Sequence, residues 1–250
     1  MAGALAEALA TGGLVWLFAA AVVGGLVRGF SGFGGALIYM PAAAAVLPPV
    51  WALITLTLID IAGPVPNLRA AWAGVRRREV AVLLAGAIPA LPLGVWALSR
   101  LPQDPFRWGL SAFVALLLVL MIMGWRYRGP LGDALVGMIG VIGGFLGGLT
   151  GMAGPPVIVF YMAAGHAPAV MRANLLVFFL AVDLLVLATL AVSGLLEAVP
   201  VAIAALLAPV YMIANMAGAR LFNPALARLY RALAYGVIAA SAVIGLPLWD

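Results

Sequence analysis

The sequence predicts an all-α, polytopic integral membrane protein made of two inverted-topology repeats of about five hydrophobic segments each. Three observations carry this. Hydrophobic residues make up 66% of the 250-residue chain and charged residues 8%, where a water-soluble globule carries about 25% charge. Apolar runs long enough to cross or enter a bilayer recur from end to end. A glycine-rich element occurs twice without a gap, at Val22 to Pro41 (VVGGLVRGFSGFGGALIYMP) and at Val141 to Phe160 (VIGGFLGGLTGMAGPPVIVF).

Crossing the hydrocarbon takes roughly 20 apolar residues, so a chain of this length holds at most about ten spanning helices and no extramembrane domain. The runs of the first half lie at about 13–30, 35–48, 49–66, 79–98 and 107–126, and those of the second at about 131–149, 155–165, 171–193, 197–219 and 226–248. The second run of each set is short or marked by proline (Pro41, Pro155, Pro156), as expected of a half-helix returning from a re-entrant hairpin. At an offset of 119 the glycine-rich elements share Val22/Val141, Gly24/Gly143, Gly25/Gly144, Gly29/Gly148, Gly32/Gly151 and Gly35/Gly154, and Ser31 meets Thr150. As the offset drifts to 120 and 121, Gly74 falls on Gly194, Pro89 on Pro209, Arg100-Leu101 on Arg220-Leu221 and Gly124 on Gly245. Residues 1–128 are therefore read as the first membrane repeat and 129–250 as the second, within one integral membrane domain. The N-terminus has no basic n-region and carries Glu7, so no cleaved signal peptide is expected.

Parity sets the expected orientation. Whether the first two segments of a half both span or both turn back, they return the chain to the side it entered, and three crossings follow. An odd count per half inverts the second repeat. The charges agree, because cytoplasmic loops collect positive residues. Arg69, Arg76, Arg77 and Arg78 follow the third segment, Arg126 and Arg128 link the halves, and Arg220, Arg228 and Arg231 follow the ninth segment. The counterpart loop Ser193 to Pro200 holds Glu197 and no arginine. Arg100 and Arg107 are discordant, falling on the outer side with Asp104. Both termini are expected outside the cytoplasm. The net charge of +5, from thirteen arginines and no lysine, thus reads as loop charge and not as a nucleic-acid surface.

SGFGG and TGMAG put irregular backbone at membrane depth, where an unsatisfied amide costs several kcal/mol unless it is buried in protein or faces water. Glycine permits a tight turn there, and proline at 155 or 156 suits a first helical turn. Two helix N-termini would then aim free N–H groups at the centre, an arrangement that suits an anion. The competing reading is that the glycines only let helices pack closely.

The paired elements GGLVRGFSGFGGALI and GGFLGGLTGMAGPPVIVFY, with Pro89 and Pro209 in matching segments, resemble the sulfite exporter TauE/SafE family, also described as toluene-sulfonate uptake permease-like transporters. The resemblance covers most of the chain. It implies a multi-pass transporter of the bacterial inner membrane, exporting small sulfur-containing or carboxylated organic anions such as sulfite or organosulfonates. Substrate contacts are accordingly expected at Arg28, Ser31, Gly32, Phe33, Gly34, Gly35, Thr150, Gly151, Met152, Ala153 and Gly154. The copies depart from each other at Arg28 against Gly147 and Gly34 against Ala153, which suggests unequal contributions.

An arginine inside an apolar segment costs roughly 2.5 to 3.5 kcal/mol on insertion scales. Arg28 reads as a forked donor to sulfonate or carboxylate, or else as a structural ion pair with Asp60 or a side chain snorkelling to an interface. Asp60 and Asp183, inside the third and eighth segments, are proton-coupling candidates, since burial raises a carboxyl pKa; pairing with Arg28 or with helix backbone is the plainer alternative. Asn174 and Asn215 read as helix bridges, Arg172 as an interfacial anchor, and the tryptophans as an aromatic belt. Phe33 and Met152 either line the cavity or simply pack. With His166 as the one histidine and no cysteine, neither a metal site nor a cofactor is expected. An aspartyl hydrolase dyad of Asp60 and Asp183 is disfavoured, because IDIAG and VDLLV offer no GxGD-like context. A secondary transporter working by alternating access is the main reading; a passive anion channel and a noncatalytic membrane assembly protein are the alternatives.

Overall fold

The computed structural model describes residues 2–32, 34–63, 72–123, 132–163, 168–221 and 227–248. Its helices are α1 (Ala2–Ala10), α2 (Leu14–Ser31), α3 (Gly35–Ala44), α4 (Pro49–Ala62), α5 (Arg77–Arg100), α6 (Gln103–Met123), α7 (Asp133–Thr150), α8 (Gly154–Ala163), α9 (Pro168–Val192), α10 (Ala198–Leu221) and α11 (Ala227–Ile244). Helices α2, α5, α6, α7, α9 and α10 are long and apolar enough to cross a membrane. Each expected run corresponds to one helix, and the protein is a polytopic, all-helical membrane protein among the described residues. Hydrophobic runs did not anticipate α1, a nine-residue stretch of Ala, Leu, Gly and Glu whose Ala8 is buried.

The short segments are real. Helices α3 and α8 have ten residues each, which rise about 15 Å, half the roughly 30 Å hydrocarbon thickness. The helix before each ends on a left-handed glycine that an L side chain would strain. Gly32 has φ 79° and donates its N–H to the Arg28 carbonyl. Gly151 has φ 70° and donates to the Gly147 carbonyl. Ser31 and Thr150 stand just before these turns.

Two compact units form, and neither is a sequence half. One contains 1–63, 101–119 and 195–250; the other contains 64–100 and 120–194. Each unit keeps the first three membrane segments of one half and takes the fourth from the other half: α2, α3 and α4 with α10, and α7, α8 and α9 with α5.

Glycines make these exchanged pairs possible. In the first unit a Cβ on Gly29 would strike the backbone of Asn215 and Ala219, and one on Gly25 would lie 2.7 Å from the Tyr211 carbonyl oxygen. In the second unit a Cβ on Gly148 would strike the backbone of Leu91 and Val95, and one on Gly144 would lie 2.5 Å from the Ala87 carbonyl oxygen. In both pairs residue numbers rise together along the two helices, so the packing is parallel. At such distances only the absence of a side chain allows contact, the small-residue packing of membrane helices.

This packing corrects the sequence register of the fourth helices. Tyr211 matches Ala87, Asn215 matches Leu91 and Ala219 matches Val95, and each difference (211 − 87, 215 − 91, 219 − 95) is 124. Pro89 and Pro209, 120 apart in number, thus stand about one helical turn out of register. The proline and Arg-Leu matches aligned local composition; packing aligns the glycines.

Arg107, near the start of α6, is a buried side chain, 3% exposed. Its Nε donates to the Gly245 carbonyl at 3.0 Å and one terminal nitrogen to the Leu246 carbonyl at 3.1 Å. It thereby serves carbonyls left without helical partners just beyond the end of α11.

Candidate functional site

The first glycine turn carries a charged cluster, all within the first unit. Arg28 in the last turn of α2 forms an ion pair with Asp60 of α4. The side chains keep 14% and 11% of their exposure, so the pair is desolvated without being sealed. Tyr211 of α10 donates its hydroxyl to Asp60 Oδ1 at 2.8 Å. The two readings offered for Arg28 and Asp60 meet here: they are partners.

Glycine again explains how the cluster fits. A Cβ on Gly35, the first residue of α3, would lie 2.5 Å from the Tyr211 hydroxyl and 3.3 Å from Arg28 Cβ. A Cβ on Gly24 would lie 3.2 Å from the Gly35 carbonyl oxygen. The turn is thus pressed against α2 while Tyr211 and Arg28 occupy the space a side chain at 35 would take. Gly34, with φ 93°, caps α3. Gly32 is exposed, and among the described residues beyond its chain neighbours nothing lies within 4 Å of where its Cβ would stand, so the turn is open to them on that side.

Electrostatically the cluster is net positive. Arg28 and Asp60 cancel, and the N-terminus of α3 adds about half a positive charge from its unpaired amides. One planar guanidinium, partly reachable, beside free helical N–H groups suits a small oxyanion.

The second turn has the same backbone plan and a different lining. A Cβ at Gly147, where the first copy has Arg28, would lie 3.0 Å from Val182 Cγ1 and 3.2 Å from Ala153 Cβ. No side chain of any length fits there without displacement. Gly154, the counterpart of Gly35, faces the Phe179 ring at 3.3 Å from its would-be Cβ. Thr150, Met152 and Ala153 are buried, and among the described residues no non-glycine has positive φ, so Ala153 does not adopt the left-handed form of Gly34.

The other expected site residues divide clearly. Ser31 and Thr150 donate their hydroxyls back to the Val27 and Leu146 carbonyls at 2.6 and 2.8 Å. Thr150 Oγ1 also accepts from the Met152 N–H at 3.3 Å. Asp183 is partly buried in α9, in the other unit from Asp60. Phe33 lies outside the described residues, as do Arg69, Arg126, Arg128 and His166.

Asn174 bridges helices as expected. It accepts from the Arg76 N–H at 2.8 Å and donates to Glu79 Oε2 at 3.0 Å and to the Tyr161 hydroxyl at 3.1 Å. Sequence reasoning missed Tyr211. The available signal is a tyrosine in mid-segment, where an amphipathic side chain needs a polar partner.

A duplicated, all-helical membrane protein with broken helices and a partly open cation at one break has the construction of a membrane transporter, not of an enzyme. The chain belongs to the sulfite exporter TauE/SafE family, whose model matches residues 17–244. It is similar to a protein of Cupriavidus necator strain H16 described as a probable sulfite/organosulfonate exporter TauE, with 27% identity over 219 residues, covering 83% of this chain and 84% of the relative. No solved structure matches.

Proposed function

We propose that this protein is a secondary transporter that exports small sulfur-containing or carboxylated organic anions, such as sulfite or organosulfonates, across the bacterial inner membrane. The description of the C. necator relative as a probable sulfite/organosulfonate exporter supports the cargo class. The observation that carries the site is Arg28, a cation kept inside the membrane segment at the open glycine turn and paired with Asp60. The anion is held by the Arg28 guanidinium and the backbone around Gly32, Gly34 and Gly35, with the Ser31 hydroxyl turning from its helical carbonyl to donate. Phe33 belongs to the same turn. Within the other unit, Thr150, Gly151, Met152, Ala153 and Gly154 form the equivalent turn and offer an anion their own backbone. Asp60 and Asp183 are the carboxylates through which a proton is coupled, and the cycle is alternating access.

The reading is tested with purified protein in liposomes loaded with sulfite, thiosulfate, methanesulfonate or acetate. A carrier gives saturable, counterflow-competent flux for one class of anion. Alanine at Arg28, Ser31 and Thr150 abolishes it while the protein still inserts; intact flux with all three replaced removes the site assignment. Flux without saturation or counterflow would replace the carrier by a passive channel. Specific binding also raises stability, by about 2.7 kcal/mol when the anion stands at about 100 times its Kd.

A further inference from the structure

The ion pair at the first turn presents a difficulty for anion binding, because Arg28 is already paired with Asp60. Resting on the reading of Arg28 as the anion's holder, we propose that Asp60 is the resident occupant of the anion site: it surrenders Arg28 to one monoanionic oxyanion and takes up a proton as it does so.

The argument begins with charge. Arg28 and Asp60 neutralise each other inside the membrane-embedded unit. An incoming anion that pairs with Arg28 leaves the Asp60 carboxylate without its counter-ion, and a buried unpaired charge is far costlier than a buried acid. Protonation removes that charge. Arg28 with a monoanion, beside a neutral Asp60, restores the net charge of the empty site. A dianion does not, since it leaves one uncompensated negative charge.

The geometry supplies what the exchange needs. The Tyr211 hydroxyl reaches in from α10 and donates to Asp60 Oδ1 at 2.8 Å. Tyr211 is therefore a positioning residue: it retains the carboxyl in either protonation state, since a protonated acid still offers a carbonyl oxygen to accept from it. The guanidinium carries five N–H donors in a planar fork and can exchange one oxyanion for another. The titratable and charged groups on the elements around Asp60 are Arg28 of α2, Tyr39 of α3, and Tyr211 and the exposed Arg220 of α10. Asp60 is the charged residue of α4 itself.

The second copy cannot repeat the device. Val182 and Ala153 close the space at Gly147, so Asp183 has no arginine at the position equivalent to Arg28. One anion and one proton per chain follow at this turn.

The test uses the whole protein in detergent, with methanesulfonate, which stays a monoanion between pH 5 and 8, and sulfate as the dianion. Calorimetric titrations in buffers of different ionisation enthalpy give both affinity and protons taken up. Wild-type protein is expected to bind methanesulfonate more tightly as pH falls, by up to about tenfold per pH unit, with net proton uptake and with sulfate much weaker. Asp60→Asn is expected to bind methanesulfonate more tightly than wild type and equally at pH 5.5 and 7.5. Should that variant fail to fold, proton uptake by the wild type decides. Binding without proton uptake, an Asn variant that keeps the wild-type pH dependence, or sulfate bound as well as methanesulfonate overturns the exchange while leaving the transport reading intact. No binding of either anion by folded wild-type protein overturns the transport reading, and this inference with it.

Discussion

At the residue scale the molecule separates charges that hold the structure from charges that serve the site. Arg107 and Arg28 are both arginines in apolar surroundings, but Arg107 ends on two carbonyls near the end of α11 and Arg28 on a carboxylate at an open turn. Replacing Arg107 with leucine takes the guanidinium donor from the carbonyl of buried Gly245, while the Leu246 carbonyl keeps the Leu248 N–H, and is expected to cost about 1 to 3 kcal/mol. This is read as a lower thermal midpoint in detergent, with flux per folded molecule unchanged. Arg28→Gln behaves differently. It strands Asp60 and is expected to destabilise by about 3 to 5 kcal/mol, whereas Arg28→Gln with Asp60→Asn removes both charges and regains most of that loss. Thermal melts of the two variants check this. A double variant no more stable than the single one would mean that the pair contributes little, and flux stays absent in both under the proposed function. The sequence made Arg28 and Asp60 visible because charge in an apolar run is conspicuous. Tyr211 stayed hidden because one hydroxyl barely alters hydropathy.

At the element scale, glycine has two separable roles. Gly25, Gly29, Gly144 and Gly148 face the backbone of a fourth helix, while Gly32 and Gly151 close the preceding helix in the left-handed conformation. Gly29→Val or Gly148→Val forces a side chain into backbone and is expected to abolish accumulation of folded protein, measured by size-exclusion chromatography. Gly32→Ala meets open space and is expected to cost only the left-handed strain, about 1 to 2 kcal/mol, with the protein still folding. Equal damage from the two kinds of substitution would count against this division. The sequence showed that these glycines recur as pairs. It did not show which role each plays, because a packing glycine and a turn glycine are the same letter until their neighbours are known.

At the scale of the whole molecule, the two halves of the sequence are not the two compact units. Each unit borrows its fourth membrane segment, α10 or α5, from the other half. Fragments 1–128 and 129–250 expressed separately are each expected to be degraded or aggregated, and co-expression to restore a stable complex; a half that is monodisperse and protease-resistant alone would contradict the exchange. The absence of cysteine also makes single-cysteine labelling direct. A cysteine at Arg77 is expected to react from the cytoplasmic side and one at Glu197 from the opposite side if the repeats are inverted. The Arg78–Asp133 contact at 2.6 Å joins the first turns of α5 and α7. By itself the sequence determined the membrane solvent, the helices, the duplication and the glycine turns, because bilayer thickness and backbone hydrogen bonding act locally and leave their period in the residues. Only the tertiary structure decided which helix fills each glycine groove, that the fourth helices align one turn away from the sequence match, and that Arg28 meets Asp60 and Tyr211. Those outcomes depend on side-chain shape between segments far apart in the chain, where a local pattern carries no information about its partner.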